Sequence, residues 1–280
     1  MELHTLGEGN LYGETDIQEA ARALTGWRVT KLGTAQFAPW RHDRTQKTVL
    51  GVSGAMDDEQ LVRLLAERPE TADYVGAKLW RFFALPEPGR ELIDRTTAAY
   101  LDSDGSIAAM VRTILLSDEM YSDAAYRTRI KAPVEGVIGS LRALEVETDG
   151  HEELPLMRAM GQLLYDPPDP AGWTGDGAWI NSTTMLARSN YANALTLTRT
   201  HKFVDVPGLL RSHGAEGSAA DVVDWLLDLL VGGDAGDATR ETLIEHVGGR
   251  YHFDFERAAD EGTLNGVVYL ALSMPLYQVT

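Results

Sequence analysis

Apolar residues recur every three or four positions along most of this chain, the spacing that gathers them on one face of an α-helix. Thr15-Asp16-Ile17-Gln18 reads as a capping box opening a helix through Ala20, Ala21 and Leu24 that stops at Gly26. Asp57 is placed to cap a helix using Leu61, Leu64 and Leu65 up to Pro69. A third stripe from about Thr71 uses Ala72, Val75, Leu79 and Phe83, and a fourth uses Ile107, Met110, Val111, Ile114 and Leu115. Pro133 suits the first turn of a helix with Val134, Val137, Ile138, Leu141 and Leu144, and Leu156, Met160, Leu163 and Leu164 extend the pattern. After the break DPPDPAGW comes an unusually polar helix, about 181–198. Val222, Val223, Leu226, Leu229 and Leu230 mark the next helix, and 239–247 and 255–272 close the series.

One segment breaks this rhythm. Residues 26–51 (GWRVTKLGTAQFAPWRHDRTQKTVLG) are rich in Gly and Thr and lack helical periodicity. Residues 27–31 and 34–37 predict a hairpin around Leu32-Gly33, with 48–52 as a third short strand. There is no alternation of strands and helices and no internal repeat. The expected fold is therefore mainly α: a multi-helix globular domain spanning 1–280, with a small β-hairpin-like insert near 27–52.

Composition narrows the function classes. Acidic residues outnumber basic ones 42 to 25, a formal net charge of −17. That argues against non-specific binding to nucleic acid or anionic membranes, which needs a Lys/Arg surface. The absence of cysteine removes thiolate catalysis, Cys-based zinc sites, iron–sulfur clusters and disulfides. No apolar run approaches the ~20 residues of a membrane-spanning helix. The start, MELHTLGEGN, has neither the basic nor the apolar region of a signal peptide, so the chain as written reads as cytoplasmic.

Three short motifs look like chemistry and have plainer readings. Gly7-Glu8-Gly9 through Gly13 approximates a dinucleotide fingerprint, but its third glycine is one place late and no strand precedes it. Gly51-Val52-Ser53-Gly54 lacks the final glycine of a nucleophile elbow, because Ala55 stands there. Asp102 to Ser106 hints at a calcium loop, yet Ile107 takes the glycine position and Thr113 that of the bidentate Glu. The seven histidines (4, 42, 151, 201, 213, 246 and 252) form no metal-binding pair at helical spacing, so metal content and cofactor are unknown from sequence.

His42, Asp43 and Lys47 are the best catalytic candidates in the 26–51 segment, with Arg188 as a further cation from the polar helix. In a turn, Asp43 would orient the His42 imidazole as acid, base or ligand. In an extended strand the two side chains face opposite ways, and an Asp in a turn commonly bonds its own backbone. Trp27, Trp40 and Trp173 offer stacking surfaces for binding, with Asn190 as a polar partner. Proline-fixed tryptophans also commonly plug a core. Arg188 and Asn190 suit a carboxylate or phosphate, and equally a buried network.

Taken in order, ELHTLGEG at 2–9, DIQEAARALTGW at 16–27, His42-Asp43 with Lys47 and Gly51, RPETADYVGAKLWRFF at 68–83, KAPVE at 131–135, MGQLLYDPPDPAGW at 160–173, WINSTTMLARSN at 179–190 and LALSMPLYQ at 270–278 resemble the bacterial family called domain of unknown function 1800. The resemblance runs over essentially the whole chain. It implies no established reaction, cofactor or catalytic residue. Intact members of that family are typically longer, with helices and often an export signal ahead of the ELHTLG motif. The chain is thus expected to be the C-terminal portion of a longer domain, with helical family sequence encoded in frame upstream. Members also often neighbour a gene for a phosphatase- or sulfatase-like protein, which suggests a partner at the cell envelope. Two function classes follow: an exported or envelope-associated enzyme of unknown reaction, or a non-catalytic binding or assembly partner of that neighbour. An inactive truncated fragment is the third outcome.

Overall fold

The computed structural model describes residues 1–9, 11–196, 204–249 and 253–280. It is mainly α and comprises two compact units, Met1–Tyr126 and Arg127–Thr280. No described helix is long and apolar enough to cross a membrane.

In the first unit, α1 (Glu14–Ala23) is capped at Gly13, two residues ahead of the expected Thr15. Asp16, not Gln18, reaches back to the helix start, accepting the Gly13 N–H at 2.9 Å. The same carboxylate accepts the Leu50 N–H at 2.7 Å, so one side chain ties the helix start to a later turn. Strands β1 (Trp27–Val29) and β2 (Ala35–Phe37) form the expected hairpin, pairing Trp27 with Phe37 and Val29 with Ala35. The third strand expected at 48–52 is instead a second hairpin, β3 (Lys47–Val49) with β4 (Val52–Gly54). Leu50 and Gly51 both take positive φ, 51° and 80°, which is the two-residue turn favoured by strand twist. Leu50 tolerates it because its N–H is held by Asp16 while its side chain packs on Val49, Met56 and Leu61.

Four helices complete this unit: α2 (Asp58–Ala66), α3 (Pro69–Phe83), α4 (Arg90–Asp102) and α5 (Ile107–Leu115). Asp57 caps α2 as the sequence implies, exchanging side-chain bonds with Gln60. The α4 helix has no apolar stripe, because the face it buries carries Thr96, Thr97 and Tyr100. Their hydroxyls are satisfied by Ile93 O, Asp73 and Ala66 O, respectively. Gly76 lets α3 approach it: a Cβ there would sit 2.6 Å from Thr96 Oγ1. Trp80, fully buried, fills the space beside Ile114 and Ala84.

The second unit contains α6 (Pro133–Ala143), α7 (Glu153–Ala159), α8 (Ser182–Thr196), α9 (Val206–Ser212), α10 (Ala219–Val231), α11 (Asp237–His246), α12 (Phe255–Asp260) and α13 (Thr263–Ser273). Its core gathers Val222, Val223, Leu226 and Leu230 of α10 around Val267, Val268 and Ala271 of α13. The single helix expected over 255–272 is broken at Gly262, whose φ of 74° belongs to the left-handed region. The polar α8 is held by specific bonds as well as by Tyr191, Ala192 and Leu195 in the core. Asn181 accepts from the N–H groups of Thr183 and Thr184, and Tyr191 meets Ser140 at 2.5 Å. Residues 197–198 of the expected helix lie outside the described residues.

Candidate functional site

The 42–50 loop of the first unit is assembled on the polar face of α1. One turn apart on the helix, Arg22 Nη1 donates to both carboxylate oxygens of Glu19, at 2.6 and 2.8 Å. Arg22 also donates from Nε to Asp43 Oδ2 at 2.8 Å, to the Thr45 hydroxyl, and to Gln46 O at 3.3 Å. Asp43 Oδ1 accepts the Thr45 N–H at 2.9 Å, and Glu19 accepts the Thr48 N–H at 3.1 Å. The Arg22 guanidinium, then the Thr45 hydroxyl and N–H, hold the Asp43 carboxyl well below the usual carboxylate range. Asp43 in turn raises Arg22, and Arg22 is the main cause lowering Glu19.

His42 and Asp43 both contact Thr25, but through separate bonds. His42 Nδ1 donates to Thr25 O at 2.9 Å, and the Asp43 N–H donates to Thr25 Oγ1 at 2.8 Å. The His42 ring is half-buried beside Phe37, with centroids 5.7 Å apart. Asp43 is therefore engaged by Arg22 and does not orient the imidazole. Lys47 is fully buried, and its ammonium donates to Asp43 O at 2.5 Å and Thr45 O at 3.1 Å. The three candidates do share one loop, where their polar groups tie backbone to backbone.

A carboxyl whose folded pKa lies below its unfolded value stabilises the fold above the unfolded value, ~3.9 for Asp. It loses that contribution as pH falls through the folded value. Asp43→Asn is therefore expected to lower Tm at pH 7, with the gap from the parent narrowing as pH drops below about 4. Thermal unfolding from pH 7 to 2.5 checks this; a gap constant with pH would contradict it.

Arg188 and Asn190 lie in the second unit. Arg188 is buried, donating to Gln278 Oε1 at 2.9 Å and Lys131 O at 2.8 Å. Its Nε has no hydrogen-bond partner among the described residues, and burial lowers its pKa. Beside it, Lys131 lies over the Tyr277 ring at 4.1 Å and is also lowered, chiefly by burial. Burial likewise pushes the Tyr277 phenol up to about 12. The cavity lined by Arg188, Tyr277, Gln278 and Gly136 measures about 10 Å³, room for one water. Asn190 is exposed, so these two candidates sit on opposite sides of α8. Trp173 is half-buried, in a loop preceding the buried Trp179.

Trp27 and Trp40 are different. Trp27 is half exposed with Nε1 donating to Asp58 at 2.7 Å, and Trp40 is 75% exposed just after the β1–β2 hairpin. Val29, at 75%, and the tip residue Leu32, at 90%, extend this surface, and all six strand residues are exposed. The base of the hairpin is closed at Gly26. Ala38 N–H donates to Gly26 O at 2.8 Å, and Gly26 has φ 100° with no room for a Cβ, which would fall 2.7 Å from Phe37.

The full sequence matches the family described as "Protein of unknown function (DUF1800)" over residues 1–279. The chain belongs to DUF1800. No curated protein and no solved structure matches it. For this DUF1800 chain, sequence reasoning passed over Arg22, whose only local signal is the Glu19–Arg22 spacing. It also passed over the exposed Val29, Leu32 and Phe37. Among the described residues no group of three or more His, Asp or Glu is placed to hold a metal ion; His201 and His252 lie outside them.

Proposed function

We propose that this DUF1800 chain is a binding or assembly protein of the cell envelope rather than a catalyst, and that its contact element is the β1–β2 hairpin. The observation that carries this reading is the exposure of Leu32 at the tip of the two-stranded hairpin and of Trp40 in the turn just after it. Large apolar side chains left in solvent within one short segment mark a candidate contact surface. Three of the four candidate catalytic groups point the same way. Asp43 is engaged by Arg22, Lys47 by two carbonyls, and Arg188 by Gln278 and Lys131 O. A general acid or base needs a group able to reach a substrate proton.

The partner implied by the family resemblance is the phosphatase- or sulfatase-like protein encoded nearby. Titrating the purified neighbour with this chain tests the pairing. Replacing Trp40 with Ala and Leu32 with Asp together is expected to weaken binding at least ~10-fold, as loss of an interface anchor does. Tm should be unchanged, since both side chains are exposed. Equal affinity in parent and variant would sink the reading.

A further inference from the structure

The hairpin segment has a charge opposite to the chain that carries it. Residues 26–51 hold five cations, Arg28, Lys31, Arg41, Arg44 and Lys47, and a single carboxylate, Asp43. The whole chain has 42 acidic residues against 25 basic. Lys47 is buried on backbone carbonyls, and Asp43 is neutralised by Arg22. The remaining four cations are exposed, and none pairs with a carboxylate among the described residues. Arg28 lies over the Trp40 ring at 5.9 Å and donates to Gln36 Oε1, which holds its guanidinium beside the indole. The segment that exposes Val29, Leu32 and Trp40 thus also exposes these four unpaired cations, with Arg28 beside Trp40.

Building on the binding reading above, we propose that the hairpin docks on an acidic face of a partner protein, with Leu32 and Trp40 as apolar anchors and Arg28, Arg41 and Arg44 pairing with its Asp and Glu side chains. Three of the four cations are arginines, whose planar fork matches a carboxylate bidentately. Tryptophan and arginine together are the usual anchors of protein contacts. A nucleic acid or an anionic bilayer fits less well. Either presents negative charge over a wide area, and the acidic remainder of the chain would meet it beyond this small patch. An acidic face of a protein supplies the opposite charge, which speeds encounter and fixes orientation.

The test places a photoreactive benzoylphenylalanine at position 32 of the full chain in the source cells. Irradiation is expected to yield an adduct to a protein segment rich in Asp and Glu. The combined Arg28→Glu, Arg41→Glu and Arg44→Glu substitutions should cut its yield at least ~10-fold at unchanged Tm, because like charges now face each other. Adducts to lipid or nucleic acid, or to a segment without carboxylates, overturn the proposal. So does a yield that survives charge reversal; if Trp40→Ala still abolishes that adduct, the binding reading stands and only the acidic face falls. No adduct at all overturns both.

Discussion

Replacing Trp80 with Ala is expected to destabilise the first unit by about 3–5 kcal/mol, the range for truncating a fully buried indole. Trp80 has no exposed surface and packs with Ala84, Ile114 and the partly buried Leu79, Phe83, Leu85 and Leu92. Its Nε1 donates to Leu92 O at 3.0 Å, and the Arg95 guanidinium lies 5.9 Å from its ring while pairing with Glu119. Leu92 O keeps a second donor in Thr96 Oγ1, so the cost is mainly the cavity rather than an orphaned carbonyl. Trp80→Phe, which retains a ring, should cost roughly 1–2 kcal/mol by contrast. Equilibrium urea unfolding, with a probe in this unit, measures both. A cost below about 1 kcal/mol for Trp80→Ala would show that the cavity collapses and the packing described is wrong.

The second large effect concerns Lys47. A catalytic lysine would be replaceable by methionine at little cost in stability. Here Lys47→Met keeps the buried stem but leaves Asp43 O and Thr45 O without their donor. The two carbonyls are only part-buried, so water partly replaces the ammonium and the expected loss is roughly 1–2 kcal/mol. The ammonium is shielded, so an amine-reactive reagent should modify Lys47 far more slowly than the exposed Lys31. Chemical denaturation and labelling rates check the two halves of this statement. A variant as stable as the parent, with Lys47 labelled as fast as Lys31, would return Lys47 to the list of reactive groups.

What the sequence reveals here follows from which interactions leave a periodic trace. The stripes at 107–115 and 222–230 fell on real helices because apolar burial repeats with the helix. The α4 helix left no such stripe, since it buries Thr96 and Thr97 against carbonyl and carboxylate partners contributed by the fold. Gly262 breaks the last helical run at a single residue, which periodicity smooths over. At 48–52 the turn uses Leu50 in a conformation that few non-glycine residues adopt, and its support comes from Asp16, far back in the chain.

The candidate site was legible as a place more than as a mechanism. Residues 26–51 do form the β-containing insert; within it Lys47 bonds Asp43 O, while His42 turns to Thr25. Their contacts depend on Arg22, Glu19 and Thr25, which lie on or beside α1 in the 16–27 stretch and there read only as helix residues. The exposure of Leu32 and Trp40 was hidden for the opposite reason. Apolar residues in alternating strands ordinarily signal a buried face, and only the structure shows both faces of this hairpin in solvent.

One comparison separates docking from chemistry most directly: the affinity of Trp40→Ala and His42→Ala chains for the purified phosphatase- or sulfatase-like neighbour, with Tm measured alongside. Docking through the hairpin predicts at least a ~10-fold loss for Trp40→Ala at unchanged Tm, and a much smaller change for His42→Ala. Full affinity in Trp40→Ala, with binding abolished in a folded His42→Ala chain, would contradict it.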